Sequence, residues 1–173
     1  MRRKYFLVIL FLILAIFLSG CGGIYIFILP DDTEFMFLVE ELNTPEKICQ
    51  YMLDNFETED HPYITLTPYE LYIARKGDCD DFSDFSEFIA NYHGYETHQI
   101  RILFAEYVYT YPVYHIITVF TEYGYYTFAE NQYYNPFEGY HNSFGSIMQI
   151  YYGWVSYTVY DYWDNIIEIG YNN

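Results

Sequence analysis

Three residue types stand in an order that suits attack on an amide bond: Cys79, then His115, then Glu130 or Asn131. A cysteine attacks as its thiolate, and a helix N-terminus favours that anion through partial positive charge and free backbone N–H groups. The same N–H groups can receive the oxyanion of a tetrahedral intermediate. A histidine must reach the sulfur, first as base and then as acid, and a third group must fix the tautomer of its ring. Such chemistry runs through a thioester and calls for no cofactor and no metal.

The segments around these residues have the periodicities that would position them. Cys79 to Tyr92 is the best helix in the chain: Phe82, Phe85, Phe88 and Ile89 form an apolar stripe, and Gly94 follows where a C-terminal cap belongs. Asp78, Asp80 and Asp81 crowd its start, where negative charge suits the helix dipole. Upstream, a helix is expected over Glu34 to Leu42. Thr44-Pro45 opens another that runs to Phe56, and Thr67-Pro68 opens a third that ends at Arg75-Lys76-Gly77. Downstream the period becomes that of strands: Gln99 to Phe104, Val113 to Phe120 and Tyr125 to Glu130, with Tyr123-Gly124 as a tight hairpin turn. Ser143 caps a short helix to Tyr152, and strands are expected over Val155 to Tyr160 and Ile166 to Ile169. Helices first and an antiparallel sheet after them make an α+β domain.

On these residues a resemblance can be named. Thr67-Pro68-x-Glu70, Gly77-Asp78-Cys79-Asp80-Asp81-Phe82-Ser83, Gly94-Tyr95 and the stretch Tyr114-His115-Ile116-Ile117-Thr118-Val119-Phe120 together resemble the transglutaminase-like superfamily. The similarity covers roughly residues 44–137. It implies a papain/transglutaminase-like α+β fold, with the nucleophile helix packed on an antiparallel sheet and a papain-like Cys-His-Asp/Asn triad. Cys79 and His115 fall on the family's nucleophile and histidine. At the third position the family has Asp, often followed by Pro, whereas this chain reads Ala129-Glu130-Asn131-Gln132. By spacing Glu130 takes that place. An extra bulged residue at the Gly124 turn would flip the parity and present Asn131 instead.

The remaining candidates have plainer readings. Cys49 reads as a small buried hydrophobe. His61, His93, His98 and His141 lack metal-ligand spacing and read as surface residues. Asp78, Asp80, Asp81 and Asp84 lack the alternating loop and closing Glu of a calcium site, and read as a solvated helix start. Carboxylates so close to Cys79 oppose its thiolate, which a protonated His115 would have to offset. A tyrosine, of which there are 24, could donate to the oxyanion.

With 7 Lys+Arg against 24 Asp+Glu, the formal charge is −17, which argues against nucleic acid as a partner. At 173 residues and 53% hydrophobic, the chain suits one domain with a real core. Three of its bases, Arg2, Arg3 and Lys4, precede the apolar run Tyr5 to Leu18 and then Leu18-Ser19-Gly20-Cys21. This is the layout of an export signal. LSGC resembles the lipobox of prokaryotic lipoproteins, which implies a signal peptide over 1–20, lipidation of Cys21 and a tether over 21–33. An uncleaved signal anchor over residues 5–29 fits the same stretch. Either way, the domain over 34–173 is expected on the outer face of the cell membrane. Its expected partners are a peptide or protein substrate, including cell-envelope amide polymers. Three functional readings follow: a peptidase or amidase, an amine-transferring cross-linking enzyme, or an idle domain of the same fold that binds a partner.

Overall fold

The computed structural model describes residues 30–60, 65–108, 111–137 and 139–172. The export signal, Cys21, the alternative anchor over 5–29 and His61 lie outside the described residues. From Asp32 onward the described chain forms one compact unit.

Four helices come first. Helix α1 (Thr33–Glu41) is capped by Asp32, whose carboxylate accepts the N–H groups of Glu34 and Phe35. Helix α2 (Pro45–Asn55) has Thr44 as its cap and Pro45 in its first turn. Helix α3 (Pro68–Ala74) is closed by a capping box between Thr67 and Glu70 and ends in a left-handed Arg75. Helix α4 (Cys79–Tyr92) carries the nucleophile candidate at its first position. Around them lie two short strands, β1 (Glu57–Thr58) and β2 (Lys76–Gly77), paired in parallel. Each strand is only two residues long and has no period that the sequence could show. The pair ties the end of α2 to the two residues that lead into α4.

The rest is a six-stranded antiparallel sheet: β3 (Thr97–Val108), β4 (Tyr111–Glu122), β5 (Tyr125–Glu130), β6 (Tyr133–Tyr134), β7 (Trp154–Asp161) and β8 (Ile166–Tyr171). Its spatial order is β6-β5-β4-β3-β7-β8. The helix capped by Ser143 is shorter than expected: α5 (Phe144–Met148) stops after five residues, and the chain turns before β7. The architecture is α+β, as the residue patterns indicate.

Alternation along the strands gives the sheet two different faces. One face meets α4, where Ser83 Oγ and Thr118 Oγ1 are 2.8 Å apart. Phe120 and Ala129 join Phe35, Ile48, Met52, Leu71, Phe82 and Phe85 in the core beneath the helices. Ile100, Ile102, Ile117, Val119, Phe128 and Val159 face the other way and are covered by Phe144, Ile147 and Met148 of α5. Helices, sheet and α5 thus form three layers.

Candidate active site

Cys79 sits where it does because of Gly77 and Asp81. Asp81 is fully buried. Its carboxylate folds back to accept the N–H of Asp78 at 2.8 Å and that of Leu66 at 2.6 Å, fixing the turn into α4 and the loop ahead of α3. Reading Asp81 as part of a solvated helix start therefore needs correcting. It is a buried bracket whose charge is met by backbone donors. Cys79 follows the cap, with the backbone N–H of a first helical position, which has no intrahelical acceptor. The thiol is free and half-buried; Cys49 is also free but fully buried. Burial pushes the Cys49 thiol far up, as for an inert core residue.

Beside the sulfur stands Asp80, with Oδ1 3.8 Å from Sγ and Oδ2 accepting from Thr65 at 2.9 Å. Burial works against the Asp80 charge, but its hydrogen bonds outweigh that and hold it below the usual carboxylate range. A negative neighbour opposes negative charge on the sulfur. Asp78, Cys79 and Asp80 also bring three potential ligand atoms within 4.8 Å of one another. A metal ion there would compete with His115 for the sulfur.

His115 is the candidate cation nearby. It lies on β4 beyond the last β4–β5 pair, Thr118↔Ala129, so the β5 side of the strand is open at its level. There its Nε2 meets Glu130 Oε1 at 2.5 Å, and Cys79 lies near enough to act on the ring's charge. Burial disfavours the charged ring, yet Cys79 and Glu130 together outweigh it and raise its pKa to about 9. Glu130 responds in the opposite sense. Burial raises it, but His115 and then Tyr151 outweigh burial and leave it below the usual range. At neutral pH the pair is imidazolium and carboxylate.

The third position is occupied by Glu130. The β4–β5 hairpin turns on two residues, Tyr123 and Gly124, both with positive φ, as a tight two-residue turn requires. Pairing runs from Glu122↔Tyr125 to Thr118↔Ala129 without a shift, so there is no bulge to flip the parity. Glu130 then shares a face with Ile117 and His115. Asn131 falls in the following turn with φ +50° and is not among the groups acting on the ring. The next residue, Gln132, is buried and donates to the carbonyls of Phe56 (2.7 Å) and Met52 (3.3 Å), pinning the end of β5 to the end of α2.

Tyr151, which the sequence did not single out, completes the group. Its hydroxyl donates to Glu130 Oε2, and its ring centroid lies 6.5 Å from that of His115. The other described histidines are elsewhere. His98, expected at the surface, is buried against Phe144 and Tyr126, because its strand position faces α5. His93 Nε2 meets the carbonyl of Val39 at 2.7 Å, and His141 meets the Phe128 ring edge-on.

No protein-family model matches the chain, and no curated protein matches it either.

Proposed function

We propose that this chain is a thiol enzyme that cleaves amide bonds through an acyl-enzyme, on a papain/transglutaminase-like fold. The observation that carries the reading is the grouping of Cys79, His115 and Glu130, with the sulfur at a helix start, the His115 ring on the Glu130 carboxylate, and Cys79 near enough to act on the ring's charge. An imidazolium beside the sulfur balances the charge the sulfur carries when it attacks. The sulfur attacks the carbonyl carbon, and the Cys79 N–H receives part of the oxyanion charge. His115 gives its proton to the departing amine as the C–N bond breaks, leaving a thioester. The neutral ring then takes a proton from water as the water oxygen attacks, and the thiolate is released with the acid product. An amine in place of water would make the same site a cross-linking transferase; water, always present, favours hydrolysis. Glu130 holds the ring and balances its charge throughout.

The substrate on this reading is a peptide or protein, with cell-envelope amide polymers included. The acidic surface favours amine-bearing partners. The N-terminal segment supports placement at the outer face of the membrane, through a lipid on Cys21 or through an uncleaved anchor over 5–29. Among the described residues no helix is long and apolar enough to cross a membrane. Incorporation of a labelled fatty acid that disappears in Cys21→Ser distinguishes lipid from anchor.

One observation favours a second reading, an idle binding domain of the same fold: the Asp80 carboxylate sits beside the sulfur and works against its activation. Alkylation by iodoacetamide near neutral pH decides between the two. An enzyme shows Cys79 labelled much faster than Cys49, with the advantage lost in His115→Ala. An idle domain shows slow labelling that His115→Ala does not change.

A further inference from the structure

Glutamate is one methylene longer than aspartate or asparagine and has one more rotatable bond, so a carboxylate at its end is harder to hold in a fixed plane. In this protein both oxygens of Glu130 are engaged: Oε1 by His115 Nε2 and Oε2 by the Tyr151 hydroxyl. Tyr151 is held in turn. Its ring meets that of Phe104 edge-on at 6.4 Å, and it packs against the core between sheet and α5. The carboxylate is thus stretched between a strand histidine and a tyrosine from the far side of the α5 turn.

We infer that Tyr151 is a positioning residue of the site, the fourth in the series Cys79–His115–Glu130–Tyr151, and that its hydroxyl is what makes a glutamate serviceable as the orienting acid. The inference rests on the proposed thiol chemistry and deepens it. Tyr151 touches neither sulfur nor substrate; it acts through Glu130. Without the hydroxyl, Oε2 loses its donor, the carboxylate rotates away from the ring, and His115 gives up part of the contact that keeps it protonated. A fixed donor to a carboxylate is among the stronger hydrogen bonds, so the loss is large enough to measure.

The test uses Tyr151→Phe, which keeps the ring packing and removes only the hydroxyl. Two readouts are taken on the full chain: titration of His115 by NMR, and the pH profile of Cys79 alkylation by iodoacetamide. The inference predicts that His115 titrates at lower pH than in the parent protein and that alkylation slows about tenfold near neutral pH, an effect of roughly 1.4 kcal/mol. It also predicts that Tyr151→Phe combined with Glu130→Gln is no slower than Glu130→Gln alone, since both act through one carboxylate. An unchanged or upward-moved His115 titration overturns it, and so does a double variant in which the two effects add in full. The NMR arm keeps its fate separate from that of the parent reading. If parent Cys79 alkylates no faster than in His115→Ala, the thiol enzyme itself falls; if alkylation depends on His115 but Tyr151→Phe matches the parent protein, only the tyrosine's role is lost.

Discussion

Gly77 is a glycine because Asp81 occupies the space where its side chain would be. A Cβ on Gly77 would lie 2.8 Å from Asp81 Oδ2, 2.9 Å from Asp81 Cβ and 2.8 Å from Leu71 Cδ1. The short β1–β2 pairing holds the backbone of Gly77 in place beside Thr58, so it has little freedom to retreat.

Gly77→Ala therefore overpacks a site with no slack. Such changes cost roughly 1–3 kcal/mol, and the upper half of that range is expected here. Urea unfolding should show a lower midpoint, with slower Cys79 alkylation because the start of α4 shifts. An unchanged midpoint would mean that the buried Asp81 carboxylate is not rigidly placed.

The two candidates for the orienting role separate cleanly by mutation. Glu130→Gln removes the charge facing His115, so the ring's pKa falls from about 9 towards the ordinary 6.5. Cys79 alkylation should slow by about tenfold or more, the size expected for a charge-assisted bond. Asn131→Gly, at a position whose φ is +50° and suits glycine, should leave the rate within about twofold. Equal slowing in both variants would put Asn131 on the ring after all.

Gln132 links the site to the helices. Gln132→Leu leaves the Phe56 carbonyl without its 2.7 Å donor in a buried setting, at a cost of about 1–3 kcal/mol. The drop should appear in urea unfolding and be matched by Gln132→Met, since neither replacement can donate.

Stability should fall as pH rises. Burial, opposed by the Thr97 hydroxyl, pushes Glu87 from 4.5 to about 7. Burial likewise pushes Asp84 from 3.8 to about 6, with the Gln99 amide opposing. These carboxyls and His115 all bind protons more tightly folded than unfolded. The carboxyl contribution is present at acid pH and fades as pH rises towards about 7; that of His115 is complete below about 6.5 and fades through about 9. His98 and His141, held low by burial, work the other way in the acid half of the range, against the larger shifts of Glu87, Asp84 and His115. The melting temperature should decline from pH 5 to pH 9, and Glu87→Gln should flatten the acid part of that decline. A melting temperature that rises over this range would contradict the assignment.

Much of this is legible in the chain itself. Cys79–Tyr92 and Tyr125–Glu130 form with the bounds their patterns indicate, because an aspartate cap with an apolar stripe and an aromatic run after Tyr123-Gly124 are local signals. Tertiary facts were not legible. Asp81 reads as a surface acid at a helix start, and only the return of Leu66 over it shows a buried bracket. The choice between Glu130 and Asn131 turns on whether one residue bulges at Gly124, which composition does not encode. Tyr151 is one tyrosine among 24, and its partner is brought near by the sheet and α5 rather than by spacing. The two-residue strands β1 and β2 are too short for any period to appear.

The central claim is that His115 drives the reactivity of the Cys79 sulfur, and the rate of Cys79 alkylation by iodoacetamide near neutral pH, with and without His115, measures it most directly. The parent protein should be alkylated at Cys79 about tenfold or more faster than His115→Ala, with no such labelling in Cys79→Ser. Equal rates with and without His115 would contradict that claim.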